Sequence, residues 1–326
     1  MPAVQPLALT GVDRPLSPLV LGTMTFGDTV NASTTAEVFE AALAAGITAI
    51  DTANGYAKGT TETLIGPLVQ RHREEIVLAT KAGIPHPDAE GHAPLSAQGL
   101  RTSVEGSLRR LGVDSIDLFY LHQPDRATPV EETLRTVGEL HAEGKIAALG
   151  VSNFAAWQLV DLLAAAEAVG APRPAVAQNV YSILARRVED EWAEAARTHG
   201  VATMVYNPLA GGLLARRPST AGTPERFTGS VLADMYRQRY LSDTVTNAAE
   251  ALADIADQAG IPQAELSLRW AAHADLTDAI LLGASRPSQL LANVGAVSRG
   301  PLPQDVMDAI DAATAPVRGV QPLYNR

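Results

Sequence analysis

Residues 47–56 read Ile47-Thr-Ala-Ile50-Asp51-Thr-Ala-Asn-Gly55-Tyr56, a short apolar run that stops on a carboxylate and turns through a glycine to a phenol. The same form recurs twice. Ile76–Thr80 stops on Lys81, and Ile116–Leu121 stops on His122. Runs this short, bounded by turn residues, are the signature of buried strands rather than helices. Helical segments, Glu62–Arg71 and Ala97–Leu111, separate them. Strands alternating with helices of this length make parallel βαβ units, so each closing polar residue falls at the C-terminal edge of the sheet.

Working outward, Leu19–Leu21 supplies an earlier strand, and Ser33 to Ala45 an Ala-rich helix with Ser33 as its expected N-cap. Downstream, helix Val130–Glu143 ends at Gly144. Strand Ile146–Gly150 leads to helix Ala155–Val169, and strand Ala175–Gln178 to helix Arg187–His199. Val201–Tyr206 and Ala279–Leu282 bring the strands to eight. Eight such units predict a (β/α)8 TIM barrel, formed as one domain over residues 1–326, with a doubly wound sheet as the alternative. Alternation around Thr10-Gly11-Val12-Asp13 predicts an N-terminal β-hairpin over residues 5–18. After the seventh strand, residues 207–243 form a long loop rich in Gly, Pro and Arg, of a length that lids and binding loops have.

Composition removes several classes of function. The chain has no cysteine, which excludes disulfides, thiolate metal sites and cysteine nucleophiles. Its formal net charge of −11, with Arg71, His72 and Arg73 as the densest basic cluster in the first half, gives no basic face for nucleic acid. No apolar run approaches the ~20 residues that span a bilayer. Residues 1–20 show no signal-peptide pattern, so a cytoplasmic location is expected. His86 and His92, with Asp88 and Glu90 between them, lie in a Pro/Gly-rich loop that reads as solvated, and no metal site is expected. Fingerprints of a Rossmann dinucleotide site, a P-loop, a zinc hydrolase or a serine esterase are all missing.

Barrels of this kind keep their chemistry at the C-terminal mouth, where Asp51, Tyr56, Lys81 and His122 would converge. A lysine among apolar neighbours needs a carboxylate partner, and Asp51 is the candidate. The paired lysine is expected to lower the phenol's pKa, and His122 to orient a substrate oxygen. A phenol so placed can protonate a carbonyl oxygen as hydride arrives at carbon, which points to a carbonyl reductase.

The segments Asp51-Thr-Ala-Asn-Gly-Tyr56, Ala79-Thr-Lys81, Leu121-His-Gln-Pro-Asp125, Gly150-Val-Ser-Asn-Phe154 and Tyr206-Asn-Pro-Leu-Ala-Gly-Gly-Leu-Leu214 resemble those of the aldo-keto reductases over nearly the whole chain. With Thr128-Pro-Val-Glu-Glu-Thr-Leu134, the last looks most like the aflatoxin-aldehyde reductase branch and its bacterial relatives. The resemblance implies NADPH/NADP+ as cofactor, Tyr56 as general acid, Lys81 and Asp51 as its tuning pair, and His122 as orienter. It implies Ser152, Asn153 and Gln178 as a clamp on the nicotinamide amide, and Tyr206 as the stacking ring. Further cofactor contacts carry over onto Gly22, Thr23, Met24, Asn207, Leu209, Gly211, Leu213 and Arg217.

The adenosine end is expected on Gly283, Ser285, Arg286, Gln289 and Asn293, where the eighth strand meets a helix N-terminus suited to an anion. Arg286 there would favour NADPH over NADH. Arg216, Arg217, Arg226, Arg237 and Arg239 lie in the long loop and could clamp pyrophosphate or an acidic substrate group. Arg239 and Arg326 would hold a substrate carboxylate, although Asn325 stands where that branch usually has an aromatic. Phe26 and Met24 are candidates for the apolar lining. The expected partner is a small carbonyl compound, with homo-oligomers possible and neither nucleic acid nor membrane bound. Alternatives are a regulatory subunit like the potassium-channel β subunits, or a reductase of a conjugated enone or a nucleotide-linked sugar.

Overall fold

The computed structural model describes residues 5–319. β1 (Leu19–Gly22) and α1 (Ala32–Ala44) are followed by β2 (Ala49–Asp51) and α2 (Thr60–Arg71). Then come β3 (Val77–Ala82), α3 (Ala97–Leu111), β4 (Ile116–Leu121) and α4 (Val130–Ala142). β5 (Ile146–Ser152), α5 (Ala156–Val169), β6 (Pro174–Val180), α6 (Trp192–His199) and β7 (Ala202–Tyr206) continue the alternation. After β7 stand α7 (Pro218–Ala221), α8 (Ala233–Tyr240), α9 (Asp243–Gln258) and α10 (Gln263–Ala272). β8 (Ala279–Leu282), α11 (Pro287–Ser298) and α12 (Gln304–Arg318) complete the order. The eight strands pair in parallel, each with the next, and β8 closes onto β1, which makes a (β/α)8 barrel.

Side chains alternate across each strand, and this parity places the site. Ala49, Ala79, Tyr120, Val176 and Met204 point into the barrel, in one cluster with Val20, Leu118 and Leu281. Two residues further along the same strands or just past them come Asp51, Lys81, His122, Gln178 and Tyr206. They occupy the next interior layer, at the C-terminal mouth. The opposite parity (Leu21, Ile50, Leu78, Phe119, Leu149 and Val205 among others) packs outward against the helices.

Several local details differ from the sequence expectation. The N-terminal hairpin is reduced to one antiparallel bridge, Leu7 with Leu16, and buried Leu9 and Leu16 join the cluster inside the barrel. Asn31, not Ser33, caps α1: its side chain accepts the Thr34 N–H at 3.0 Å, and Ser33 donates to it. The expected helix over 187–199 is a 3₁₀ turn, Arg187–Glu189, followed by α6. The 207–243 segment is folded rather than open, holding α7, α8 and two further short 3₁₀ turns. Among the described residues no helix is long and apolar enough to cross a membrane.

Candidate active site

Lys81 is wholly buried at the mouth, and its three N–H donors all find acceptors. Nζ donates to Asp51 Oδ1 at 2.5 Å, to the Thr52 carbonyl at 2.9 Å and to the Tyr56 hydroxyl oxygen at 3.1 Å. The phenol oxygen is therefore an acceptor toward Lys81, and its own proton is left for another partner. Gln178 donates its amide N–H to the second Asp51 oxygen at 2.8 Å, so both carboxylate oxygens are engaged. The Lys81 ammonium also lies 5.6 Å from the centroid of the Tyr120 ring, one interior layer below. Tyr120 escaped the sequence reading. Its position two residues before His122 on β4 is the signal that could have found it.

Burial pushes the Asp51 carboxyl up and the Lys81 ammonium down, and the charge of each partner holds the other back. Burial also pushes the Tyr56 phenol well above its ordinary range, with the Asp51 charge adding to the rise. The sequence led to the opposite expectation, a phenol lowered by Lys81. The reason is burial: desolvation of the phenolate prevails, and the Asp51 carboxylate close by adds to the rise. Tyr56 is accordingly a protonated phenol. His122 is lowered to about 3, by burial first and the Lys81 charge second, so its ring is neutral. It meets the Tyr56 ring edge-on, centroids 5.9 Å apart.

A cavity of about 1030 Å³ runs from this group along the barrel mouth to the start of α11. Asp51, Tyr56 and His122 line its deep end, with Gly22, Met24, Ser152, Asn153, Gln178 and Tyr206. Asn153 fixes the Tyr206 ring, accepting its hydroxyl proton at 2.7 Å, while its own amide donates to the His122 carbonyl. Asn207, Leu209, Gly211 and Leu213 follow along the wall, and Gly283, Ser285, Arg286, Gln289 and Asn293 line the far end. There Arg286 precedes α11 without capping it by its side chain, Pro287 brings no N–H, and Gln289 N–H bonds the Arg286 carbonyl at 3.1 Å. Ser285 N–H goes to Gln289 Oε1 at 3.0 Å.

Lys81 bonds Asp51 and Tyr56 without lining the cavity itself, and four other expected residues do not reach it. Thr23 is buried beneath it and donates to the Asp51 carbonyl at 2.9 Å, so it supports the strand end instead. Phe26 is fully buried in the core beside α1 rather than in the lining, because the chain after β1 turns back through a Thr25–Val30 bond. Arg217 turns outward onto α9, where Glu250, Asp254 and Asp257 hold its guanidinium. Arg237 likewise bonds the Phe227 carbonyl and Asp234. By contrast Arg216, Arg226, Arg239 and Arg286 line the cavity, and among the described residues none of them forms an ion pair. Arg239 reaches the hydroxyls of Tyr206 and Tyr240. Arg326 lies outside the described residues.

Four guanidiniums without an ion pair suit a ligand carrying several negative charges, and the apolar and aromatic wall between them suits a flat ring. A dinucleotide phosphate has this chemistry, so the residues present fit it. No group of three or more metal-binding side chains assembles among the described residues.

Fold and site together define a (β/α)8-barrel oxidoreductase. The chain belongs to the aldo/keto reductase family, whose model matches residues 18–315. It is 37% identical to human aldo-keto reductase family 7 member A3 over 94% of this chain and 96% of that protein. Human aflatoxin B1 aldehyde reductase member 2 is 36% identical, covering all of this chain and 94% of its own. A probable voltage-gated potassium channel subunit beta from Arabidopsis thaliana is 30% identical over 86% of both chains.

Proposed function

We propose that the chain is an NADPH-dependent carbonyl reductase that converts an aldehyde or ketone to the alcohol. One observation carries the reading: Tyr56 lines the cavity while its hydroxyl oxygen accepts from Lys81. When bound, NADPH supplies the hydride that reaches the carbonyl carbon. Tyr56 gives its proton to the carbonyl oxygen, and the phenolate left behind keeps the Lys81 hydrogen bond. Asp51 holds that ammonium in place, with Gln178 bracing its other oxygen. Because the imidazole is neutral, His122 can offer one ring N–H to the same oxygen without bringing a charge that would compete for the proton.

Arg286 and the first turn of α11 would take the 2′-phosphate, and Arg216 and Arg226 the pyrophosphate. Arg239, beside Tyr206 at the rim, would take a carboxylate on the substrate. Relatives named for an aldehyde substrate support the carbonyl class.

The test follows NADPH oxidation at the nicotinamide absorbance with a panel of aldehydes, one of them carrying a carboxylate. Turnover is expected with the native chain, and Tyr56→Phe should lose on the order of 10²–10⁴-fold in kcat while NADPH binding is kept. Native turnover in Tyr56→Phe refutes the proton donor. Tight NADPH binding with no turnover on any aldehyde would move the reading to a regulatory subunit.

A further inference from the structure

Behind the catalytic group runs a buried ionic chain that the reaction itself does not use. Glu62, in the first turn of α2, is wholly buried. Its Oε1 accepts from Thr80 at 2.5 Å and its Oε2 from Arg110 Nε at 2.8 Å. Arg110, at the end of α3, then forks onto Asp88, with N···O distances of 2.9 and 2.6 Å. Asp88 also meets His86 Nδ1 at 3.0 Å. One carboxylate thus ties three elements together: Thr80 directly precedes Lys81, and Glu62 starts the helix that Tyr56 leads into.

The segment under this chain is strained. Ala57 and Lys58 both have positive φ, 44° and 56°, and Gly59 follows at 89°. Non-glycine residues in this region are strained, and such a turn persists only where its surroundings fix it. Arg110 does the fixing from below: a Cβ at Gly59 would lie 3.1 Å from its Nε. The Asp88 carboxylate is seated as closely, 2.7 Å from where a Gly106 Cβ would stand. Buried ion pairs of this kind contribute little net stability compared with an apolar filling, and they serve best to set one geometry.

We infer that Glu62, Arg110 and Asp88 are positioning residues for proton delivery, holding the strained 57–59 turn so that the Tyr56 phenol stays within reach of Lys81. The inference rests on the proposed role of Tyr56. Its test compares the full-length native chain with Arg110→Lys, which keeps the charge and loses the fork. Steady-state kcat at 25 °C, NADPH Kd by fluorescence and the melting temperature are measured on each. Displacing the phenol by a fraction of an ångström should cost kcat on the order of tenfold to a hundredfold. The NADPH Kd should stay unchanged, because none of the three residues lines the cavity.

Native kcat in Arg110→Lys, with only the melting temperature lowered, overturns the inference. Equal losses in kcat and NADPH affinity overturn it as well. If Arg110→Lys does not fold, Asp88→Ala carries the same comparison, since Asp88 sits on a short surface turn and Glu62 then keeps its arginine. Tyr56→Phe run alongside separates the two levels. An inactive Tyr56→Phe with a fully active Arg110→Lys removes the positioning role alone, whereas an active Tyr56→Phe removes both.

Discussion

Replacing Asp51 by asparagine should produce a stability defect that shrinks as pH rises. In the native chain the Lys81 ammonium is fully buried with Asp51 2.5 Å away, and among the described residues no other side-chain carboxylate bonds it. The Asp51→Asn change would keep an acceptor but remove the charge, leaving an uncompensated ammonium, which typically costs about 3–5 kcal/mol. Lysine can escape by giving up its proton. Holding a lysine of ordinary pKa 10.5 neutral at pH 7 costs about 5 kcal/mol, at about 1.4 kcal/mol per pH unit. The two limits agree.

The sign follows from linkage. In the variant Lys81 binds fewer protons folded than unfolded, so the penalty is full at neutral pH and disappears as pH rises toward 10.5. At about 2 °C per kcal/mol, the melting temperature should lie roughly 10 °C below native at pH 7 and roughly 4 °C below at pH 9. The assay is thermal melting of both chains, followed by circular dichroism, across pH 7–9.5. A gap independent of pH would refute the reasoning, since Lys81 would then keep the same proton in the folded and the unfolded variant.

The His122 ring, lowered to about 3, binds its proton only in the unfolded chain between pH 6.5 and 3. Acidification should therefore destabilise the native chain by about 2 kcal/mol at pH 5 through this residue, and His122→Gln should melt with a correspondingly shallower acid slope. An equally steep slope in His122→Gln would show that the ring is not held neutral. For the cofactor, Arg286→Ala should weaken NADPH by about tenfold or more and leave NADH nearly unchanged, whereas Arg217→Ala should alter neither. Fluorescence titration with both nucleotides checks this, and equal losses for NADPH and NADH would take Arg286 away from the 2′-phosphate.

The two adjacent arginines 216 and 217 mark where sequence reading stops. Nothing in Ala215-Arg-Arg-Pro218 separates them, yet one lines the cavity and the other is held by Glu250, Asp254 and Asp257 from a helix more than 30 positions later. Phe26 is a similar case. Its place after a strand suggested the mouth, and a tight turn sent it into the core. The strut of Glu62, Arg110 and Asp88 was invisible for the same reason, because its members come from separate helices and a turn with no local pattern linking them.

By itself the sequence determined the eight strands, most of the helices between the first seven of them and, as its first choice, the barrel, because strand runs and helical spacing are local and repeat with period. It also determined which residues close the strands, since parity along β2, β3 and β4 carries Asp51, Lys81 and His122 into the mouth with no long-range information. The upward shift of the phenol, the choice among five arginines and the support behind the strained turn came only with the tertiary structure. Those depend on burial and on distances between side chains far apart in the chain, and neither quantity is written in any local stretch of residues.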